Sequence, residues 1–262
     1  MGLLNPIWMT ENPKKRDKAI AAIQKLSDAS QLENAAINAP LGPVAEAACT
    51  QIMDQASLSE VAIHAGKLWV AQQAVARIDD PALLMKVALE AGTDKGGSTA
   101  AKRIDDQGAL AQIARKAPNE YTRIAAMEKL VDLDIVAEIA YHDADRHVRC
   151  EAVRRITDPQ VLEDIARTVQ DHYVRMAALE MIDSPELIRD IEASWDDEQR
   201  SASGYANMLR DSVHQLIAEK EKIAKRVAEG RCPKCGVRLT APEGGVPDGA
   251  TAYCSNCGAR VR

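Results

Sequence analysis

Hydrophobic and polar positions recur along the chain with a period of 26 residues. One aliphatic position stays in register through seven successive units, with an alanine four residues before it and a helix-capping residue two residues after it. The aliphatic position holds Leu26, Ile52, Ile78, Ile104, Leu130, Ile156 and Ile182. The capping position holds Asp28, Asp54, Asp80, Asp106, Asp132, Asp158 and Ser184. Self-similarity at such a period is typical of stacked helical repeats.

Each unit contains two predicted helices. The alanine and the aliphatic position share one face of the first helix, and the second helix begins at the capping residue. The buried face of the second helix carries Leu32, Leu58, Leu84, Leu110, Val136, Leu162 and Ile188. The pattern predicts an all-α solenoid of seven 26-residue helix pairs over residues 13–194, closed at its ends by residues 1–12, which include Trp8, and by Trp195.

The paired helices resemble HEAT repeats and the similar leucine-rich repeat variant. The resemblance rests on the helix pairs themselves and on Val148-Arg149 and Val174-Arg175, which open first helices, and it covers about 180 of the 262 residues. It implies a binding scaffold more often than an enzyme.

The fourth unit departs from the pattern at Asp94-Lys95-Gly96-Gly97-Ser98-Thr99. Two glycines stand where other units have helix, which predicts a shortened helix and a local bend. The alternative is that free backbone N–H groups before Ser98 bind an anion.

Residues 195–230 follow no repeat and predict one connecting amphipathic helix. Its apolar residues alternate in steps of four and three between Ala202 and Val227, which is a short heptad seam. The seam predicts packing along the last repeat. The alternative is a homodimer in which a second copy pairs along residues 202–227.

Residues 231–262 contain two Cys-x-x-Cys-Gly motifs, which supply Cys232, Cys235, Cys254 and Cys257. Four thiolates complete a tetrahedral site, and a glycine after each motif can adopt the positive φ that a tight turn needs. The segment resembles a zinc ribbon, which implies a small β hairpin around a structural zinc ion. Iron is the alternative, because rubredoxins use similar cysteine motifs.

The composition sets limits on the partner and the compartment. The formal net charge is −6, which argues against a dedicated nucleic-acid binder, although residues 231–262 carry five basic and two acidic side chains. No run of about 18 apolar residues predicts a membrane span. Paired cysteines without a disulfide framework indicate a reducing compartment, and we expect a cytoplasmic protein.

Two rows of surface residues are candidates for contacts. Basic residues recur near the end of the first helices at Lys25, Arg77, Arg103, Lys129 and Arg155, and near their start at Arg123, Arg149 and Arg175. They stabilise helix ends or contact phosphates. An aromatic row at the start of the first helices holds Trp69, Tyr121, His147 and Tyr173. It packs the incoming chain or anchors a partner protein.

The sequence favours a non-enzymatic adaptor for another protein. It contains no Ser/His/Asp grouping and no His-Glu pair of the kind expected in HEAT-repeat di-iron hydroxylases. The alternative is a nucleic-acid binder that uses the basic ribbon and the arginine rows. Zinc ribbons and some HEAT-like DNA-repair enzymes have that use.

Overall fold

The computed structural model describes residues 6–195, 206–239, 254, 256, 257 and 259, with the backbone alone at Asp94 and residues 206–208. The chain divides into two compact units, residues 1–156 and 157–262. The division falls inside the predicted repeat region. No helix in the described ranges is both long enough and apolar enough to cross a membrane.

The first unit is helical throughout its described length. Two 3-10 turns, Ile7–Met9 and Pro13–Lys15, precede α1 (Arg16–Ile23), α2 (Ala29–Asn38), α3 (Gly42–Gln51), α4 (Gln55–His64), α5 (Leu68–Ala76), α6 (Pro81–Glu90), α7 (Asp94–Arg103), α8 (Gln107–Lys116), α9 (Glu120–Met127), α10 (Leu133–His142) and α11 (Arg146–Val153). The second unit contains α12 (Pro159–Thr168), α13 (His172–Met181), α14 (Pro185–Ser194) and α15 (Ala206–Ala228).

In each repeat the predicted capping residue lies at the start of the second helix. Each side chain accepts a hydrogen bond from a backbone N–H of the first turn, as Asp54 does from Ser57 at 2.7 Å. That bond lowers the pKa of Asp54. The other caps are Asp28, Asp80, Asp106, Asp132, Asp158 and Ser184. Short polar side chains therefore fix the register of the helix pairs.

Consecutive helices pack in pairs, and the predicted columns form the core. In the first unit α2 packs against α3, α4 against α5, α6 against α7, α8 against α9 and α10 against α11, while first helices also stack on first helices. The predicted leucine column of the second helices is buried in each of the seven repeats, as at Leu58 and Leu110. The aliphatic position lies just after the first helix, not within it: Ile52 follows the last residue of α3.

The predicted shortening of the helix in the fourth unit is wrong. Helix α7 spans ten residues and starts at Asp94. Gly96 holds the repeat position at which Val70 and Val148 are buried. A Cβ atom at Gly96 would lie 2.1 Å from the backbone oxygen of Ala62 in α4. The glycine thus lets two helix backbones approach where other units interpose a side chain.

Each end of the repeats carries a buried tryptophan. Trp8 in the first unit is 6% exposed, and the turn that contains it packs against α1 and α2. In the second unit Trp195 is 4% exposed, and its indole Nε1–H donates to the backbone oxygen of Ala166 at 2.9 Å. Both residues cover helices as the sequence predicts. Residues 1–5 of the predicted cap lie outside the described residues.

Helix α15 packs against α13 and α14, which agrees with the packing predicted for residues 195–230. Leu209, Val213 and Ile217 are buried. The Lys220 ammonium donates to the backbone oxygen of Glu180 at 3.0 Å. Residues 196–205, including the start of the predicted seam, lie outside the described residues. The homodimer along residues 202–227 stays a prediction.

Candidate metal centre

The candidate metal centre begins at the C-terminal end of α15. Gly230 has a φ of 67°, the Arg231 N–H donates to the Arg226 oxygen at 2.7 Å, and the Gly230 N–H donates to the Val227 oxygen at 3.0 Å. This pair of bonds is a Schellman motif, which ends a helix at a left-handed glycine. It leads the chain from the helix directly into Cys232.

The first cysteine motif forms the expected tight turn. The Gly236 N–H donates to the Cys232 oxygen at 2.9 Å, and the Cys232 N–H donates to the Val237 oxygen at 2.8 Å. Gly236 has a φ of 74°, as predicted for the glycine after the second cysteine. The second motif repeats one of these contacts, because the Cys254 N–H donates to the Ala259 oxygen at 2.8 Å.

The four cysteines converge as the spacing predicts. Their Sγ atoms all lie within 4.8 Å of one another. Cys232 and Cys257 are 3.6 Å apart at Sγ, and so are Cys235 and Cys254. A tetrahedral site with Zn–S bonds of about 2.3 Å places its sulfurs about 3.8 Å apart. The four side chains therefore fit a zinc-sized ion, and they can bind a metal ion such as zinc.

Backbone N–H groups favour thiolate at the first motif. Bonds from the N–H groups of Cys235 and Lys234 lower the pKa of Cys232. The Val237 N–H lowers the pKa of Cys235 to about 6. At Cys257 the Ala259 N–H acts in the same direction, but desolvation and the neighbouring thiols outweigh it and raise the pKa to about 11. A bound divalent cation would favour the thiolate form at Cys257 as well, because metal coordination deprotonates thiols.

The described residues cover only part of the predicted hairpin. Within them the segment forms an isolated antiparallel bridge between Arg231 and Arg238 and no β-strand. Residues 240–253, which include the predicted hairpin tip and the second predicted strand, lie outside the described residues. The β ribbon stays a prediction.

The residues of the alternative anion site lie inside the helical packing. Gly96 and Gly97 are buried, and Ser98 is half-buried. A Cβ atom at Gly97 would lie 2.5 Å from the Thr122 hydroxyl oxygen. Neighbouring helices thus fill the space beside both glycines, and these contacts explain the glycine pair without an anion.

The arginine row at the start of the first helices is also turned inward. The Nη1 atoms of Arg123, Arg149 and Arg175 donate to the backbone oxygens six residues earlier, those of Ala117, Asp143 and Val169, at 2.9, 2.6 and 3.4 Å. Arg175 is fully buried. These guanidinium groups thus bind the backbone of the loop that precedes each first helix. These bonds give the row a structural role, and the alternative contact with phosphates stays a hypothesis.

The basic residues near the ends of the first helices bind backbone oxygens of the preceding repeat. Nη1 of Arg77 donates to the Cys49 oxygen at 2.6 Å, and Nη2 donates to the Ile52 oxygen. Arg103, Lys129 and Arg155 make the equivalent bonds to Ile78, Ile104 and Leu130. The sequence predicts that these cations lie at the end of a helix, and they do. The helix is not their own, however, but the first helix of the preceding repeat.

The aromatic row is exposed in the described residues. Trp69, Tyr121 and Tyr173 are 52%, 49% and 44% exposed. The rings of Tyr121 and His147, in neighbouring units, meet edge to face with centroids 6.0 Å apart. A Cβ atom at Gly42 would lie 2.7 Å from Cζ2 of Trp69, so the indole packs against that glycine. Tyr173 belongs to the second compact unit.

The two remaining cysteines lie in the helical core. Cys49 and Cys150 are buried, as their repeat positions predict. Burial raises the pKa of the Cys49 thiol to about 11, although Arg77 acts in the opposite direction. These side chains are small apolar packing groups.

Sequence reasoning missed one residue beside the metal centre. The Nη1 group of Arg226 donates to the backbone oxygens of Pro233 and Lys234 at 3.0 and 3.3 Å. Arg226 occupies the last turn of a helix, where a cation is expected for the helix dipole alone. No feature of the sequence pattern indicated a bond to the cysteine motif.

Comparison of the chain with protein-family models, curated proteins and solved structures finds no match. The likeness to HEAT repeats therefore rests on the helix pairs and their register.

Proposed function

We propose that the chain is a non-enzymatic adaptor that binds another protein along the aromatic row of its helical repeats, with zinc in a structural role at the C-terminal cysteines. The observation that carries this proposal is the exposure of Trp69 and Tyr121. Only 3% of the residues are aromatic, and two of the three tryptophans, Trp8 and Trp195, are buried.

The geometry of the row suits an interface anchor. The Trp69 ring rests on the Gly42 backbone, and the Tyr121 ring rests against His147. Each ring is held on one side and open to solvent on the other. An aromatic side chain fixed in this way loses little conformational entropy when a partner covers it. Tryptophan and tyrosine are among the residues that most often dominate binding energy at interfaces.

The metal has no catalytic part in this proposal. Four thiolates fill all positions of a tetrahedral ion, so that no position is left to activate water. Zinc is preferred over iron because closed four-cysteine sites of this spacing are typical of structural zinc. Cysteines that bind metal as thiolates persist in a reducing compartment, and we therefore propose the cytoplasm as the location.

The nucleic-acid alternative has less support. The guanidinium groups of Arg123, Arg149 and Arg175 already donate to backbone oxygens of their own loops. Arg175 is fully buried and the Arg123 side chain is only 11% exposed, so a phosphate would meet little of either guanidinium group. Nucleic acid is therefore an outcome that the experiment must be able to detect.

The test is capture of partners from lysate of the source cells by zinc-loaded, full-length protein, with and without nuclease. Three forms are compared: wild type, a Trp69→Ser/Tyr121→Ser variant, and a Met53→Ser/Val131→Ser control. The control removes apolar side chains that are 81% and 80% exposed but lie outside the aromatic row.

The proposal predicts one protein partner that survives nuclease, is retained by the control and falls at least about tenfold with the aromatic variant. Equal capture by all three forms would remove the aromatic row from the interface. Recovery of nucleic acid, with every protein lost after nuclease, would replace the adaptor with the nucleic-acid alternative.

A further inference from the structure

Arg226 connects the end of α15 to the first cysteine motif. Its backbone oxygen accepts the Schellman bond from Arg231, and its side chain donates to the oxygens of Pro233 and Lys234. A Cβ atom at Gly236 would lie 3.5 Å from Nε of Arg226, so the guanidinium lies against the turn. One residue thus holds both the helix end and the turn that carries the first two cysteines.

The two peptide groups that Arg226 contacts also carry the N–H groups of Lys234 and Cys235. The Pro233 oxygen and the Lys234 N–H belong to one peptide group, and the Lys234 oxygen and the Cys235 N–H belong to the next. In a trans peptide the N–H points away from the C=O, and the described chain has no cis peptide bond. Hydrogen bonds from these two N–H groups lower the pKa of the Cys232 thiol.

The guanidinium and these two N–H groups therefore lie at opposite ends of the same two peptide groups. The cation draws electron density toward the two carbonyl oxygens, which strengthens the N–H donors on the far side of each peptide group. A divalent ion with four thiolates carries net negative charge, so a cation one peptide group away stabilises the loaded site. Partners beyond the ligands hold metal sites in this manner.

We propose that Arg226 is a positioning residue for the metal centre, which holds the Cys232 turn in its metal-binding conformation through the two peptide groups and stabilises the bound ion by its charge. The inference rests on the metal site of the proposed function and is independent of the adaptor role.

The test compares wild type with Arg226→Ala, Arg226→Lys and Lys225→Ala in the full-length chain. Lys225 is the neighbouring exposed cation in the same helical turn, so Lys225→Ala removes the same charge and leaves the bonds of Arg226 in place. Zinc affinity is measured by competition with a chelator. The thiolate-to-metal absorption of the Co²⁺ form reports the ligand set, and far-ultraviolet circular dichroism reports the helices.

We expect Arg226→Ala to weaken zinc binding about 10- to 100-fold. Lys225→Ala should change it less than about threefold, because an exposed charge without bonds to the turn is screened by solvent. Arg226→Lys should recover most of the loss, because an ammonium can still reach a carbonyl oxygen. The Co²⁺ spectrum should keep its four-thiolate form in each variant, and the helical signal should not change.

The inference is overturned if Arg226→Ala binds zinc as tightly as Lys225→Ala does. It is also overturned if Arg226→Ala loses affinity only together with helical signal and lysine restores neither, since Arg226 would then only support the fold. Failure of the wild-type chain to bind either ion through four thiolates would overturn the metal site itself, and the inference with it.

Discussion

The guanidinium group of Arg123 forms a two-point ion pair with the carboxylate of Asp143, with Nε–Oδ2 and Nη2–Oδ1 distances of 2.8 and 2.9 Å. The two side chains are only 11% and 6% exposed. At the equivalent positions 52 residues later, the guanidinium of Arg175 lies 4.7 Å from the ring centroid of Trp195. The repeat keeps the buried cation and changes its partner.

Removal of the Asp143 carboxylate should be costly. In Asp143→Ala the Arg123 guanidinium stays buried without its counter-charge, and we expect the free energy of unfolding to fall by about 3–5 kcal/mol. Urea denaturation of the zinc-loaded chain measures the change. The control is Glu138→Ala, which breaks the exposed pair with Arg115 and should cost no more than about 1 kcal/mol. Equal costs for the two variants would contradict the argument from burial.

The bonds of Arg77 to the preceding unit should contribute measurably to stability. Arg77→Ala leaves the oxygens of Cys49 and Ile52 without their charged donor, and we expect a loss of about 1.5–3 kcal/mol. Lys129 bonds the equivalent of the Ile52 oxygen, that of Ile104, with an ammonium group, so Arg77→Lys should lose less than about 1 kcal/mol. Thermal and urea unfolding of both variants provide the measurement. If Arg77→Lys lost as much stability as Arg77→Ala, the two hydrogen bonds would not be what stabilises the contact between these repeats.

Gly96→Ala should destabilise the chain although alanine favours helix. The added Cβ atom would meet the Ala62 backbone at 2.1 Å, and the strain of about 1–3 kcal/mol should exceed a helical gain of about 1 kcal/mol. Gly108→Ala is the matched control, because Gly108 is exposed and its nearest neighbour is the side-chain oxygen of the Asp106 cap at 3.2 Å, which needs to give way only slightly. The control should be neutral or slightly stabilising. A gain of stability in both variants would show that α4 and α7 do not approach as described.

Metal removal should expose only the cysteines of the C-terminal motifs to a thiol reagent. The raised pKa of the Cys49 thiol, about 11, keeps it protonated in mildly alkaline buffer, and both Cys49 and Cys150 are buried. Mass spectrometry after alkylation in such a buffer should show no modification of the loaded chain. After chelation it should show modification at the four C-terminal cysteines alone. Reaction at Cys49 in the chelated chain would mean that metal loss unfolds the repeats as well.

The period in the sequence was enough to predict the helices, their caps and the buried columns, because these depend on local chemistry and on spacing. Asp54 caps its own helix, and Leu58 is buried because it lies one turn further along that helix, on the face that meets the core. The convergence of the four cysteines was also predictable, since each pair belongs to one short motif.

The contacts between units could not be predicted in the same way. A 26-residue period does not say whether Arg77 stabilises its own helix or the preceding one, because that depends on how far neighbouring backbones are offset. The role of Gly96 depends on the approach of Ala62, 34 residues earlier. The contact of Arg226 could not be predicted because its partners are backbone oxygens, which every residue type carries.

Native mass spectrometry of the full-length chain, purified without added metal, shows directly whether the cysteines hold zinc. We expect one zinc ion per chain, and loss of that ion in a Cys235→Ser/Cys257→Ser variant whose helical signal is unchanged. A chain that carries no metal, carries iron, or keeps its zinc in that variant would contradict the four-cysteine zinc centre.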